Sequence, residues 1–523
     1  MPCLPTRLSA KARLSATMLP AALIFGAAMI AAPQARAADD VTIALDANII
    51  GLDPADLNDN LSMTASRTML QGLYGFDKDM KLVPVLAESI DANPEATEFV
   101  AHLRHGILFH DGALFNAAAV KTSFDRAANP ENHLKRASLY APIKSTDVVD
   151  DYTVKITLKA PFGAFINNLA HQAFAISSPK AIAEFGRDLG RHPSGTGPYK
   201  FVSWSTDTMK VAKNDKYWKP GLPKVDSITI RSVPENGARI AMLQAGEANY
   251  VYPMPIELVK ALSSNPNLDV VISKSIYARY VAMNTMKKPF TDLRVRQAMN
   301  YAVDKNAMMK VVFGGYAEPL NSPLPDGLPG HVNEGGPWPY DPAKARALLA
   351  EAGYPNGFET VLWGGNSTIT QRAMQFLQQQ FAAVGVKAEV EPLESGTAAA
   401  KIWSVTKPED ATTLMYYAAW SASTGDADWG LRPLFYSKAF PPALFNTAYY
   451  ANPVTDAAIE AGLTSADAGK RQAAYDTAQA QIWKDAPWIF LVSDDNVSAK
   501  SKKLSGIYVL PDAQMLTEDA ALN

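Results

Sequence analysis

The chain has 523 residues, 48% of them hydrophobic, and its 49 basic and 52 acidic side chains leave a formal net charge of −3. This balance excludes the strongly basic surface with which proteins bind nucleic acid or anionic lipid, and the length allows about two or three hydrophobic cores. The single cysteine, Cys3, lies close to the N-terminus. We therefore expect no disulfide, thiolate metal site or cysteine nucleophile in the mature protein.

The N-terminal segment has the pattern of a secretory signal peptide. Basic residues precede an apolar stretch at 14–32, and residues 35–37 (Ala-Arg-Ala) have the small-x-small form that signal peptidase cleaves. A membrane anchor is the alternative, but prolines in and after the stretch and the cleavage pattern disfavour it. We expect export to the periplasm and a mature chain of 523 − 37 = 486 residues. Because Cys3 precedes the apolar stretch, it cannot anchor a lipid.

Beyond the signal peptide, alternating strands and capped helices predict α/β layers with largely parallel sheets. Asn116, for example, can cap a helix whose Val120 and Phe124 share one face. Strands are predicted at 41–45, 99–103, 154–158, 200–204, 227–231, 250–252, 270–273, 280–284, 360–363, 387–391, 414–417 and 488–492, and helices at 62–73, 237–245, 295–303, 342–352, 371–384 and 467–484.

Residues 414–429 carry the clearest signal for a ligand site. An apolar strand at 414–417 is followed by a loop of small polar residues, and Asp426 can cap the helix that comes next. In α/β proteins, ligands bind at the carboxyl ends of strands. Trp420 and Trp429 border the loop. A capped and packed turn would need the cap but not both tryptophans, so a binding loop is favoured and the packed turn remains the alternative.

The sequence lacks the motifs of the common hydrolases and nucleotide-binding enzymes. It has no H-E-x-x-H, P-loop, G-x-S-x-G elbow or G-x-G-x-x-G after a strand. His105 and His110 are spaced so that they could hold a metal, but no carboxylate motif accompanies them, and we interpret them as structural. Asp426 and Asp428 could form a carboxylate pair, although capping and ligand contact suit them better. We therefore expect a binding protein, with no cofactor and no metal, rather than an enzyme.

Several motifs, in order along the whole mature chain, resemble the family 5 solute-binding proteins, the periplasmic receptors of ABC importers for peptides, nickel and related solutes. The stretches that carry the resemblance are 99–127 (FVAHLRHGILFHDGALFNAAAVKTSFDRA), 194–199 (SGTGPY), 214–218 (NDKYW), 243–247 (LQAGE), 295–303 (VRQAMNYAV) and 340–345 (YDPAKA).

This resemblance implies a two-lobed α/β binding protein of three subdomains (class II, cluster C-like), with the ligand cleft between the lobes. We assign lobe I to residues 38–275, with an inserted subdomain at about 78–188, lobe II to 276–495, and a return to lobe I at 496–523. The implied partners are a small solute and the permease of an ABC importer, and we expect a monomer.

Within the family, the likeness is greatest to members that bind glutathione. It rests on 115–121, 132–136, 338–342, 353–358, 420–425 and 444–448. Peptide receptors of the family hold the ligand's amino terminus with an aspartate where this chain has Ser423, and dipeptide receptors place an arginine near Gly364. An ordinary dipeptide would lose both anchors, each worth roughly 1.5–3 kcal/mol. Alternatives are another short peptide, a nickel complex or haem and, from other classes, an exported peptide hydrolase or a periplasmic chaperone.

Glutathione has two carboxylates and one ammonium, so its receptor needs two cationic sites and one acidic site. We predict Arg136 and Arg279 for the carboxylates, because arginine can bind them through two parallel hydrogen bonds, and Asp426 or Asp428 for the ammonium. Surface positions for the arginines and core positions for the aromatic residues are the alternatives. The remaining predicted ligand contacts are Ser421, Ser423 and Thr424 as donors, Tyr140, Trp363, Trp420 and Tyr450 as walls, and Asn60 and Asn446 as amide contacts.

Overall fold

The structure, a computed structural model, describes residues 39–523. The predicted signal peptide, residues 1–37, lies outside the described residues. Across residues 39–523, no helix has both the length and the apolar character needed to cross a membrane.

The described part of the chain alternates between short strands and helices. The strands are β1 Asp40–Leu45, β2 Tyr74–Phe76, β3 Leu82–Pro84, β4 Ala87–Ala92, β5 Glu98–Leu103, β6 Ile143–Asp150, β7 Thr153–Leu158, β8 Tyr199–Trp204, β9 Thr208–Lys213, β10 Ser227–Ser232, β11 Tyr250–Tyr252, β12 Leu268–Ser273, β13 Tyr277–Met283, β14 Ala317–Pro319, β15 Glu359–Gly365, β16 Lys387–Leu393, β17 Met415–Ser421, β18 Trp488–Phe490, β19 Val492–Asp494, β20 Asn496–Ser501, β21 Leu504–Ser505, β22 Tyr508–Val509, β23 Met515–Leu516 and β24 Ala521–Leu522.

The α-helices are α1 Asn60–Arg67, α2 Ala117–Ala128, α3 Ala137–Tyr140, α4 Phe165–Ala170, α5 Pro179–Phe185, α6 Asn236–Ala245, α7 Val259–Ser263, α8 Leu293–Tyr301, α9 Lys305–Phe313, α10 Pro342–Glu351, α11 Thr368–Ala382, α12 Ser395–Ala398, α13 Ala427–Phe435, α14 Pro453–Leu463 and α15 Ala468–Asp485. Short 3-10 turns lie at Pro54–Asp56, Pro130–Asn132, Gln172–Phe174, Gly186–Arg191, Ile256–Leu258, Pro408–Asp410 and Ser437–Ala439, and a π turn lies at Ala399–Trp403.

A seven-stranded sheet, in the order β12-β20-β11-β1-β10-β9-β8, forms the first lobe. Its strand β1 is parallel to β10 and β11, while β20 lies antiparallel between β11 and β12. Val41, Ile43 and Leu45 of β1 are fully buried on one face, as the alternating pattern of that strand predicts. Because β20 comes from the end of the chain, the C-terminal segment completes a sheet that the N-terminal segment begins.

A five-stranded sheet, in the order β16-β15-β17-β13-β18, forms the second lobe. The chain enters it between β12 and β13 and leaves it between β18 and β20, at 274–276 and 491–495. These crossings fall beside the predicted lobe boundaries at 275 and 495. The exact extent of each lobe remains a prediction.

A four-stranded antiparallel sheet, β4-β5-β7-β6, occupies residues 87–158. It lies inside the stretch that we predicted as an inserted subdomain. Helix α2 packs beside this sheet and begins as predicted, because the Asn116 side chain accepts a hydrogen bond from the backbone N–H of Ala119 at 3.1 Å.

The prediction of largely parallel sheets is wrong. Parallel pairing joins β1 to β10 and β11, and β15 to β16 and β17, whereas the other paired strands of residues 39–523 are antiparallel. The cause lies in the connections. Tight turns make hairpins of neighbouring strands such as β8 and β9, and a returning C-terminal strand inserts against its neighbours.

Candidate functional site

The predicted ligand loop has the predicted order of strand, turn and capped helix, but the strand is longer than the predicted 414–417, and Thr424 and Gly425 are buried rather than exposed. Strand β17 ends at Ser421, a turn follows, and helix α13 begins at Ala427, where the Asp426 carboxylate accepts a hydrogen bond from the N–H of Asp428 at 2.9 Å. Gly425 has a φ of 65°, and a Cβ there would lie 2.8 Å from the Phe76 ring. The loop is therefore held tightly against a segment of the first lobe.

The two aspartates of this loop already have cationic partners. Asp426 contacts the Arg471 guanidinium at 2.6 and 2.7 Å, and Asp428 contacts Arg432 at 2.7–3.1 Å. Burial raises the pKa of Asp426, and Arg471 opposes that rise. The geometry thus gives both carboxylates a structural role and does not favour either as the partner of a ligand ammonium.

Arg279 is likewise paired within the protein. Its Nε and Nη2 atoms donate to the two carboxylate oxygens of Asp494 at 2.6 and 2.8 Å. Burial by itself would lower the pKa of Arg279, but the adjacent Asp494 raises it. Because the fork of this guanidinium is occupied, the structure does not support Arg279 as a carboxylate-binding residue.

Four other predicted contacts are bonded to protein neighbours. They are Tyr140, Trp363, Asn446 and Tyr450. The Tyr140 hydroxyl donates to the carbonyl of Ala173 at 2.7 Å, and that of Tyr450 donates to Asp485 at 2.6 Å. All four side chains are buried, so the structure assigns them to packing.

The bonds of Trp363 and Asn446 are also internal. The indole N–H of Trp363 donates to the Glu391 carboxylate at 2.8 Å. The amide of Asn446 donates to the carbonyls of Tyr436 and Tyr450. Buried polar groups satisfied in this way have little capacity left for a solute.

An aromatic cavity of about 370 Å³ lies next to the ligand loop. Trp403, Trp420 and Phe445 line it, and the ring centroids of Trp420 and Phe445 are 5.0 Å apart. Gly365 also lines it and ends β15, which runs parallel to β17. The cavity thus lies at the carboxyl ends of two neighbouring strands, where the sequence predicts a site. Of the predicted walls, Trp420 is the one that lines this cavity.

The loop also contributes a buried hydroxyl that lacks a hydrogen bond. The Oγ atom of Ser421 has no partner among the described residues, and Thr424 is buried in the same loop while Ser423 is partly exposed. Ser421 is the β17 neighbour of Tyr277 in β13. Tyr277 therefore lies beside the ligand loop, and its hydroxyl accepts a hydrogen bond from Asn60 of the first lobe.

Asn60, at the start of α1, bridges the two lobes. Its side-chain amide donates to the Tyr277 hydroxyl and to the carbonyl of Asp512, both at 2.7 Å. Asp59, the preceding residue, caps α1 by accepting from the N–H of Ser62 at 2.7 Å through Oδ1, while its buried Oδ2 has no hydrogen-bond partner within residues 39–523. Leaving a buried carboxylate oxygen without a hydrogen bond costs free energy of desolvation. This oxygen can accept a hydrogen bond from a cationic group of a ligand.

Arg136 lies close to Asp59. Its Nε donates to the carbonyl of Leu57 at 2.6 Å, and its other N–H groups make no hydrogen bond to the described residues. Burial lowers the pKa of Arg136, and the negative charge of Asp59 opposes that effect. This arginine is therefore partly buried with donors to spare.

Arg67, the last residue of α1, is the second cation of this region. Its Nη2 donates to the Gln514 side chain at 2.8 Å, and its buried Nε has no hydrogen-bond partner in the part of the chain that the structure describes. Burial lowers the pKa of Arg67, and Asp512 opposes that effect. Burial, followed by the charges of Arg136 and Arg67, holds the pKa of His171 well below its usual value, so this imidazole is neutral.

Asp59, Arg67, Arg136 and His171 form what we term the arginine cluster. Arg67 and His171 also line a cavity of about 350 Å³. Asp59 caps the eight-residue helix α1 and Arg67 is its last residue, so about 12 Å of helix separates their Cα atoms at 1.5 Å per residue. The cluster thus offers two cations and one carboxylate over the length of a short peptide.

Other buried arginines show why Arg67 and Arg136 are distinctive. Arg432 and Arg471 have raised pKa values despite burial, because each contacts an aspartate. Arg239 has a lowered pKa, but its N–H groups donate to several carbonyl and amide oxygens. Arg67 and Arg136 combine a lowered pKa with unused donors.

Of the residues in this region, the sequence analysis named Arg136 and Asn60 as candidate ligand residues and did not name Asp59, Arg67 or His171. Asp59 carried a usable signal, since an aspartate before a helix is a cap candidate. Arg67 and His171 carried none, because their neighbours are far away in the sequence. Among residues 39–523, no group of three or more histidines, cysteines or acids is arranged to hold a metal ion.

Comparisons with known proteins bear on this site. Residues 81–441 match the profile of the bacterial extracellular solute-binding proteins, family 5 Middle. The glutathione-binding protein GsiB of Pectobacterium atrosepticum is 52% identical over 498 residues, which cover 95% of this chain and 96% of that protein.

Two solved structures have the same fold. The periplasmic binding protein DppA of Helicobacter pylori, in complex with the peptide STSA, has a TM-score of 0.78 and 28% identity, covering 91% of this chain and 97% of its own. HbpA2 of Haemophilus parasuis has a TM-score of 0.81 and 26% identity, covering 92% and 100%.

Proposed function

Because the chain belongs to family 5 of the bacterial extracellular solute-binding proteins, we propose that it captures glutathione in the periplasm and delivers it to the permease of an ABC importer. The name of the Pectobacterium relative supports the solute. The single observation that carries the proposal from this chain's own residues is the charge pattern of the arginine cluster.

Glutathione places one carboxylate at each end and its ammonium beside the γ-glutamyl carboxylate. Arg67 and Arg136 contact no carboxylate among residues 39–523 and have donors to spare. Each can bind one ligand carboxylate by donating charge-assisted hydrogen bonds to it. The Oδ2 atom of Asp59, which lies close to Arg136, can accept a hydrogen bond from the ligand ammonium. Two cationic groups and one acidic group match the charges of this tripeptide.

An α-linked dipeptide fits the same cluster less well. It carries one carboxylate, so one of the two arginines would stay buried without an anion. The chain also has Ser423 and Gly364 where peptide receptors of the family place charged anchors. These residues disfavour ordinary dipeptides by the loss of interactions worth roughly 1.5–3 kcal/mol each.

The central part of the solute can lie beside the ligand loop. The unsatisfied hydroxyl of Ser421 can bond a peptide group, and the cavity lined by Trp403, Trp420 and Phe445 can receive an uncharged side chain. Asn60 and Tyr277 connect these groups to α1. A solute bound here contacts both lobes, and those contacts favour the closed arrangement by their difference in free energy between the two states.

The proposal also covers the export of the protein, its oligomeric state and the delivery of the solute. The N-terminal segment directs export and is removed, and the mature protein works as a soluble monomer without a lipid anchor. The lobes extend over the predicted boundaries, and the permease recognises the closed form. The protein binds its solute without breaking a bond.

Calorimetry with the purified mature chain tests the proposal. The panel consists of reduced glutathione, glutathione disulfide, Ala-Ala, the tetrapeptide Ser-Thr-Ser-Ala and nickel with histidine. We expect saturable heat with a glutathione form and none with Ala-Ala. Binding of a peptide or of nickel with no heat from either glutathione form contradicts the proposed solute. Release of free amino acids from glutathione during the experiment contradicts a pure binding role.

A further inference from the structure

A second set of contacts joins the two lobes away from the arginine cluster. The backbone N–H of Gly163 donates to the carbonyl of Leu463 at 2.7 Å, and the side-chain amide of Asn167 donates to the carbonyl of Gly425 at 3.2 Å. Ser465 packs against Gly163. We name this set, Gly163, Asn167, Gly425, Leu463 and Ser465, the glycine seam.

The closeness of the two backbones explains the glycine at position 163. A Cβ on this residue would lie 1.8 Å from the carbonyl oxygen and 2.9 Å from the carbonyl carbon of Ser465, and 3.1 Å from Cδ of Arg471. The φ of Gly163 lies outside the left-handed region. Space, rather than backbone conformation, therefore excludes a side chain here.

The seam joins two parts of the chain that are far apart in sequence. Gly163 lies just before helix α4 and Asn167 lies within it, after strand β7 of the four-stranded sheet, whereas Leu463 ends helix α14 and Ser465 lies between α14 and α15. In the lobe assignment predicted from the sequence, Gly163 and Asn167 belong to lobe I and Leu463 and Ser465 to lobe II, so an opening of the predicted cleft would separate these backbones.

Arg471 connects the seam to the ligand loop. It bonds the Asp426 carboxylate at 2.6 and 2.7 Å, donates through Nε to the carbonyl of Gly462 at 3.2 Å, and lies beside Gly163. The loop that borders the aromatic cavity and the end of α14 are thus held as one body, against which residues 163–167 close.

We propose that Gly163 and Asn167 determine solute affinity without touching the solute, because the glycine seam forms only when the lobes close. In the open protein, water satisfies the same donors and acceptors. In the closed protein, the seam adds its free energy to that of the solute contacts and lowers the dissociation constant. This inference rests on the proposed function, since it assumes closure around a solute.

The test compares the wild-type protein with Gly163→Ala and a matched control, Gly396→Ala. Gly396 also has a φ outside the left-handed region, and a Cβ there meets nothing within 4 Å. Three quantities are measured: the glutathione dissociation constant, the melting temperature of the unliganded protein, and the radius of gyration from small-angle scattering with and without glutathione.

We expect Gly163→Ala to raise the dissociation constant at least tenfold and to leave the unliganded melting temperature at the wild-type value. It should also stay expanded at a glutathione concentration that compacts the wild type, and Gly396→Ala should behave as the wild type. Asn167→Ala removes one hydrogen bond without a clash, so we expect about a threefold rise in the dissociation constant.

The opposite pattern overturns the inference. If the seam is permanent packing, Gly163→Ala lowers the unliganded melting temperature and leaves the dissociation constant unchanged. The melting temperature and the radius of gyration of the unliganded protein can be measured without a solute. They therefore test the seam even if the wild-type protein gives no heat with glutathione. In that case the proposed solute fails, while an unchanged unliganded melting temperature in Gly163→Ala still supports a seam that forms only on closure.

Discussion

Arg279 and Asp494 are joined by two parallel hydrogen bonds, from Nε and Nη2 to the two carboxylate oxygens, at 2.6 and 2.8 Å. Arg279 lies in β13 and Asp494 ends β19, so the pair ties the two chain segments that cross between the lobes. An arginine that the sequence suggested as a ligand anchor thus holds the crossing together.

The first prediction concerns this pair. Replacing Arg279 by alanine leaves the partly buried Asp494 carboxylate, whose side chain is 21% exposed, without its cation, and the cost of about 3–5 kcal/mol for breaking a fully buried pair is the upper limit here. We expect Arg279→Ala to lower the free energy of unfolding of the unliganded protein in urea denaturation. A variant of wild-type stability that loses only glutathione affinity would restore Arg279 as a ligand residue.

Arg67 and Arg136 should behave in the opposite way. Neither contacts a carboxylate of the described residues, so removing either charge relieves a desolvation cost in the unliganded state. We expect Arg67→Ala and Arg136→Ala each to weaken glutathione binding at least tenfold, about 1.4 kcal/mol, without lowering the unliganded melting temperature. Calorimetry and thermal unfolding measure the two effects.

The control for these variants is Arg346→Ala. Arg346 is exposed, and its guanidinium donates to the carbonyl of Ala383. This variant should bind glutathione as the wild type does. Unchanged affinity in both Arg67→Ala and Arg136→Ala would show that the carboxylates bind elsewhere.

Asp59 has two roles that different substitutions can separate. Its Oδ1 caps α1, and its free Oδ2 is the proposed acceptor for the ammonium. Asparagine caps a helix about as well as aspartate but carries no charge. We therefore expect Asp59→Asn to weaken glutathione binding about tenfold with little change in melting temperature. Asp59→Ala should also cost about 1 kcal/mol of stability through the lost cap. Equal affinity in Asp59→Asn and wild type would remove Asp59 from the site.

Local sequence rules predicted most of the elements. The helix predicted at 467–484 is observed at Ala468–Asp485, and Asp467 caps it by accepting from the N–H of Lys470. The helix capped by Asp426 is likewise confirmed, whereas the strand before it runs to Ser421 instead of ending at 417. These features depend on residues close together in the chain, such as caps and alternating apolar positions.

The arginine cluster could not be predicted in the same way. Arg67 contacts Gln514, and His171 lies near both Arg67 and Arg136, so the partners come from four distant segments. The pairing of Asp428 with Arg432 is different, because four residues on a helix bring them onto one face. That spacing was visible in the sequence and would have argued against Asp428 as a ligand residue.

The last prediction concerns pH and His110. Its Nε2–H donates to the carbonyl of Gly197 at 3.0 Å, and its Nδ1 accepts from the N–H of Gly195 at 3.3 Å, so the neutral ring joins two motifs of the family pattern. Burial lowers the pKa of His110 from 6.5 to about 4. Between these two pH values the unfolded chain binds more protons than the folded one, and stability falls as the pH decreases.

Other groups also titrate in this range, so the measurement is the difference between wild type and a variant. We expect urea denaturation between pH 7 and pH 4.5 to show a smaller loss of stability in His110→Asn than in the wild type, because that variant lacks the titrating ring. His105→Asn is the matched control for the loss of an imidazole, because His105 is exposed and stacks on Tyr152 with ring centroids 3.8 Å apart. Parallel curves for the wild type and His110→Asn would show that His110 does not carry this part of the pH dependence.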